Sequence, residues 1–348
     1  MSETTLPLAA PLVPERRIFE QMLYAGSPFG TLLTTLLIFA ALIGTFALAL
    51  LIDRYPALAH TAHGWSPNAG VWPAFVLSVL IIVALGMQRY ARNRDLADNA
   101  ALCAVLPNCT PEQWMYDAAG LRRLRIATAI GALVGSVPSL VLVPRELVAK
   151  EPAMFIWFLV VNAFTSALFA RGIVHSARAA ETWARSIDTT LVIDLLRIDS
   201  LNVIGRHGAR SALIWFSVAG AILLFLVGNN VNGLTLAILL LAAIMGIWIF
   251  VRPMERAHRR IRAVKAAELE TVRREIQAAR LQAPHDAASA AKLQGLLAYE
   301  ARIEHVREWP FDQPTAIRVA AYVLIPAIPW FGQAIAGYFV AHFAHVAV

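Results

Sequence analysis

Along this chain, long stretches without one charged side chain alternate with stretches crowded by arginine. Seven charge-free runs of at least 18 residues occur, at 30–52, 71–88, 126–143, 153–170, 211–228, 231–251 and 319–341, and together they take up 139 of the 348 residues. A hydrocarbon layer of about 30 Å is crossed by roughly 20 apolar residues of helix rising about 1.5 Å each, so the pattern predicts seven transmembrane helices. The runs are apolar all round rather than along one stripe, which excludes helices lying on a membrane surface. Ser27 and Pro28, just ahead of the first run, predict its N-cap and first helical turn.

The connecting segments divide by length. One set is short, at 53–70, 144–152 and 229–230, and leaves no room for a large domain on that side. The other set is long and helical in character. Segment 89–125 contains Thr110-Pro111-Glu112-Gln113, a capping box with proline at the first helical position. Segment 171–210 holds Asp188, Asp194 and Asp199 among leucines and isoleucines, which predicts an interfacial helix turning its carboxylates to water. Gly205 and Gly208 then predict a turn into the fifth span. From 254 to 282 an apolar stripe recurs three and four residues apart through Leu269, Val272, Ile276 and Ala279. Glu255 with Arg259 and Glu270 with Arg274 stand at i,i+4 spacing on the same stretch. Pro284 interrupts it, and a second stripe follows through Leu293, Leu296, Tyr299, Ile303 and Val306.

The expected fold is therefore an all-α membrane protein of about seven transmembrane helices, with a coiled-coil-like antiparallel helical hairpin between the sixth and seventh. Its organisation reads as an N-terminal segment (1–29), a six-helix region (30–252) with inner helical segments at 89–125 and 171–210, the hairpin (253–313), and a last helix with a short tail (314–348). The hairpin stripes pair with each other or across subunits, and the sequence does not choose.

Composition agrees with a lipid environment: 58% of residues are hydrophobic, 15% are charged and the mean hydropathy is +0.60. Charge placement sets the orientation. With the N-terminus inside, the inner segments carry 27 of the 30 Lys and Arg, and only Arg54, Arg145 and Lys150 fall outside. Cytoplasmic segments retain basic residues, so the N-terminus is expected in the cytoplasm and the C-terminus in the periplasm. The pI of 9.8 then reflects this bias and attraction to anionic headgroups, not nucleic-acid binding. Acidic and basic residues scattered through the first 28 positions argue against a cleaved signal peptide, so the first run is expected to stay as a permanent helix. Cys103 and Cys109 fit neither zinc-site nor redox-pair spacing and read as buried or idle thiols.

Several residues are candidates for specific work. Ala127, Gly131, Gly135 and Ser139 put small side chains four apart on the third span, near Pro138, and predict a tight helix contact within or between chains. The last span contains Pro326, Pro329 and Gln333; two prolines three apart predict a kinked, broken or re-entrant helix whose freed carbonyls need partners. With Asn162, Thr165 and Ser166 of the fourth span, Gln333 is a candidate pore-lining group. His60 with His63, and His342 with His345, place paired histidines on the outer side as weak candidates for Zn²⁺ or Cu²⁺. Trp309, Pro310, Phe311 and Asp312 read as an interface anchor, Asp312 capping the final helix and Pro314 sitting in its first turn.

The helical hairpin, the Trp-Pro-Phe-Asp string and the proline-containing Leu324-Ile-Pro326…Pro329-Trp-Phe-Gly332 helix resemble a family of bacterial multi-pass inner-membrane proteins with no assigned activity. The resemblance covers the last third of the chain and implies a bacterial inner membrane. No phosphate-binding loop, dinucleotide fingerprint, zinc-protease motif or nucleophile elbow is present, no cofactor is implied, and the seven runs lack the ionisable residues of a proton-coupled pump. The sequence therefore predicts a non-enzymatic scaffold, assembly or regulatory component acting through its cytoplasmic helices. An oligomeric channel or neutral-solute permease is the alternative.

Overall fold

The computed structural model describes residues 23–24, 27–61, 64–68, 70–103, 118–227, 233–282 and 287–325. Six helices are long and apolar enough to cross a membrane. Helix α1 spans Gly30–Ile52, α2 Val71–Cys103, α3 Ala118–Leu142 and α5 Pro152–Thr190; the short α4, Arg145–Lys150, sits in the link before α5. A 3₁₀ turn at Leu195–Leu201 leads into α6, Asn202–Val227. Then come α7 at Gly233–Gln282, α8 at Ala287–Glu304 and α9 at Gln313–Leu324. The seventh apolar run begins within α9, and most of it, with Pro326, Pro329 and Gln333, lies outside the described residues.

Helix α6 is the centre of the bundle: its apolar window is 61% buried, against 17% for α1 and for α7. Trp215, Ala219 and Ile222 on α6 meet Ala74, Ile81 and Leu85 of α2 and Ala242 of α7 in one core. The outer faces stay apolar, with Leu32 and Leu36 on α1, Leu133 and Val141 on α3, and Leu240 and Ile244 on α7 exposed. Continuous apolar faces of this kind are what a lipid-embedded bundle presents.

Three indole N–H groups tie the spans together. Trp72 donates to the Leu224 carbonyl at 2.8 Å, Trp157 to Thr45 Oγ1 at 3.1 Å and Trp215 to Ser176 Oγ at 3.1 Å. Each gives a buried donor the partner that lipid cannot supply.

Several sequence expectations change. The helices do not stop where charge begins. Helix α7 runs unbroken through Pro253 for 50 residues, about 75 Å at the standard rise, so the expected boundary at 252/253 falls inside one rod. Ser27 does not cap α1: the helix starts at Gly30, whose φ of +71° suits glycine, and Ser27 Oγ instead accepts from Thr34 Oγ1 at 2.6 Å. The segment after Asp188 is not an interfacial helix. It leaves α5 as extended chain at Leu191 and closes into the 3₁₀ turn, capped by Asp194, which accepts from Leu196 N at 2.9 Å. Gly205 and Gly208 lie inside α6 and form no turn. Cys103 is disulfide-bonded and so is not an idle thiol. The Thr110 capping box lies outside the described residues.

The short-loop side holds two features the pattern did not announce. Leu58–Thr61 and Gly64–Pro67 form a small antiparallel ribbon, β1 and β2, pairing Leu58 with Pro67 and His60 with Trp65. His60 thus stands in a strand and not in a helix. His63, His342 and His345 lie outside the described residues. The second feature is Asp53, whose carboxylate accepts from Ala153 N at 3.1 Å and Met154 N at 2.7 Å. These are the first two donors of α5, since Pro152 has no N–H, and the local N-cap Glu151 makes no side-chain cap bond. A carboxylate from the end of α1 thus does the work of a cap across 100 residues of sequence. Asp53→Ala is expected to lower stability by about 1–2 kcal/mol, read as a drop in melting temperature of the detergent-solubilised protein. An unchanged melt would show that the cap carries no weight.

Candidate functional site

The basic end of the bundle is where chemistry-bearing side chains converge. Its apolar centre is made by Trp183 and Ile187 from α5, Leu201 from the 3₁₀ turn, Ile204 from α6, and Met254 and Ile261 from α7, each nearly fully buried. Around this centre the helices are braced by guanidinium–carboxylate pairs. Arg252 of α7 holds Glu181 of α5 at 3.2 Å, and one turn further Arg256 holds Asp188. The i to i+4 spacing of the arginines meets carboxylates seven apart on the facing helix, so two long helices are pinned over successive turns. These groups are about one-third exposed, so each pair adds modest stability and fixes relative position instead.

Helices α7 and α8 make the next layer. Arg273 donates to Glu300 at 2.6 Å and to Glu304 at 2.7 Å, and Tyr299 donates to Glu268 at 3.0 Å. Burial holds the Tyr299 hydroxyl above the usual phenol range, with the Glu268 bond adding to that. Val272 and Ile303 are buried between the two helices together with Leu195 from the 3₁₀ turn. The stripes that the sequence left open between self-pairing and subunit pairing meet here within one chain, and Leu195 completes them. Lys265 closes the end of α8, donating to the carbonyls of Glu304 at 2.8 Å and Val306 at 2.9 Å. Of the expected i,i+4 pairs, Glu255–Arg259 forms, whereas Arg274 turns to the backbone carbonyl of Glu270.

The Trp-Pro-Phe-Asp string docks on the protein itself. Trp309 stacks on His258 of α7 with ring centroids 4.3 Å apart, and His258 Nδ1 is 3.0 Å from the Glu308 carbonyl. Pro310 is buried. Phe311 lies over Gly205, where an added Cβ would stand 2.6 Å from Phe311 Cβ and 2.9 Å from the Pro310 carbonyl oxygen. Glycine is required there by close approach. Asp312 does cap α9, accepting from Thr315 N at 3.1 Å. Its carboxyl is held below the usual range, first by the Thr315 side chain and then by that backbone N–H. With its folded pKa depressed, the cap contributes fully above the ordinary carboxylate range and is lost as pH falls through the folded value. Arg307 joins the string to the 3₁₀ turn, donating to Asp199 at 2.6 Å and Asn202 at 2.8 Å.

The remaining candidates fall elsewhere. Gly131, Gly135 and Ser139 are buried against α5, with Ala127 half-buried on the same helix. Asn162 Nδ2 donates to Ser139 Oγ at 3.4 Å in that seam, and Thr165 Oγ1 bonds the Val161 carbonyl of its own helix at 2.7 Å. Asn162 thus links two helices, Thr165 bonds within its own, and Ser166 packs against Gly135 in the same seam. Among the described residues no group of three or more His, Cys, Asp or Glu stands close enough to hold a metal ion.

Sequence reasoning missed His207, which stacks on Trp183 at 3.8 Å, and the buried pair of Asp98 on α2 with Arg210 on α6, 2.7 Å apart. A single Asp followed 112 positions later by an Arg carries no signal along the chain. No family model, curated protein or solved structure matches this chain.

Proposed function

We propose that this protein is a scaffold, assembly or regulatory component of a bacterial inner membrane, with its basic end in the cytoplasm and α7 and α8 forming an antiparallel hairpin that receives a protein partner. The observation that carries this reading is the continuity of α7. A single 50-residue helix passes from lipid-facing surface into the braced basic end, so anything bound to its far part is held rigidly to the bundle. Ion pairs and ring stacks there are spent on fixing helices together, which suits a platform. The far part also presents apolar side chains outward, with Leu281 79% and Leu297 49% exposed beside the exposed charges of Arg274 and Glu275.

The test removes residues 268–303 and closes the gap with a short Gly-Ser linker, which the Lys265 to Glu304 contact makes possible. The core around Met254 and Ile261 stays. The expected result is a bundle that still extracts and melts as one species but loses its high-mass complex in cross-linked membranes. A complex and phenotype identical to the full chain would overturn the partner-docking role. The orientation is tested separately by reporter fusion at Glu275, expected to report cytoplasm.

A further inference from the structure

A pocket of about 100 Å³ lies between α2, α6 and α9, lined by Tyr90, Arg206, Arg210, Leu213, Arg318 and Tyr322 with Ala209 and Thr315. Its height along the bundle is set by the sequence. Tyr90 follows the second apolar run, Arg210 immediately precedes the fifth and Arg318 immediately precedes the seventh, so three helices cross from lipid-facing to basic at this one level. Among the described residues three guanidiniums line the pocket and no carboxylate does. Asp98 stands 2.7 Å from Arg210 and pairs with it, and Asp312 accepts from the backbone N–H of Thr315. Arg206 and Arg318 are exposed and have no ion pair with a described residue. Among the described residues the cavity thus keeps two cations without an ion pair beside two tyrosines, and one cation fixed by a buried partner.

We infer that this pocket is a binding site for a phosphate group, presented by an anionic lipid headgroup or as the free ion. Guanidinium forks match phosphate oxygens in geometry and charge. The pocket is well below the roughly 300–1,000 Å³ that enclose a metabolite, so it takes one small charged group and leaves the rest of a larger ligand outside. The outside here is apolar: Ile317, Val323 and Leu324 of α9 are exposed next to Arg318 and Tyr322, on the face along which acyl chains would lie. Basic pockets between spans at this depth are where anionic headgroups are recognised. The site does not depend on the hairpin having a protein partner.

The experiment uses the full chain in neutral detergent and follows retained lipid by native mass spectrometry, in separate arms with phosphatidylglycerol, phosphatidylcholine and inorganic phosphate. Phosphatidylglycerol is expected to be retained in preference to phosphatidylcholine, and R206Q/R318Q is expected to weaken it about tenfold or more per arginine, as for loss of a charge-assisted hydrogen bond. R206K/R318K should restore much of the binding. Both positions are exposed, so melting of the glutamine variant should match the parent and exclude misfolding. Binding of inorganic phosphate that the same variant abolishes also supports the site and assigns it to the free ion. Equal retention of both lipids with no phosphate bound, or binding untouched by R206Q/R318Q, overturns it.

Discussion

Gly135→Leu, and equally Gly131→Leu, is expected to cost about 3 kcal/mol or more and to remove most monodisperse protein on extraction, the upper end of what overpacking does. A Cβ at Gly131 would lie 2.5 Å from the Ser166 carbonyl oxygen and 2.9 Å from Ala167 Cα. At Gly135 it would lie 2.5 Å from the Asn162 carbonyl oxygen. The obstacles are backbone atoms, which cannot swing aside as a side-chain end does, so α3 and α5 must separate. In lipid, separation forfeits van der Waals contact with no hydrophobic gain to offset it. Gly44 is the control. Nothing lies within 4 Å of a Cβ built there, so Gly44→Leu is expected to leave the melt unchanged. Size-exclusion chromatography after a heating series reads both, with melting lowered by at least about 5 °C in the seam variants. A Gly135→Leu protein that elutes and melts like the parent would show that α3 does not sit against α5.

The second large effect is expected at Asp98. Its side chain is 9% exposed and that of Arg210 13%, so the pair is largely withdrawn from water. Asp98→Ala leaves the guanidinium without its carboxylate in a low-dielectric site, a loss of about 3–5 kcal/mol. Asp98→Leu combined with Arg210→Met removes both charges and their desolvation cost, and is expected to recover most of that stability. If the double variant melts no better than Asp98→Ala, the pair is not what couples α2 to α6. Arg210 also lines the pocket, so the double variant should lose phosphate binding while regaining its fold, which separates the two roles of this residue.

The basic end shows where sequence reading reaches and where it stops. The stripe through Leu269, Val272 and Ile276 was legible because helical periodicity is a property of one segment. That Leu195 caps the stripe was not, since the 3₁₀ turn carrying it resembles an amphipathic helix in composition. Asp312 was legible as a cap because its bond runs three residues along the chain; Asp53 does the same work for α5 from 100 residues away and was not. Gly205 and Gly208 read as turn formers, yet they are gaps into which Phe311, Met254 and Phe250 fit.

By itself the sequence determined that this is a helical membrane protein, which stretches form six of its apolar helices, and which connecting segments carry the arginines. Those properties follow from transfer free energy summed over contiguous residues, and contiguity is what a sequence records. Only the tertiary structure decided which carboxylate answers which guanidinium between helices, that the small residues of α3 face α5 of the same chain, and that Tyr90, Arg206 and Arg318 share one pocket. Such pairings depend on distances across the bundle, set by how side chains of separate helices interlock, and no local pattern encodes them.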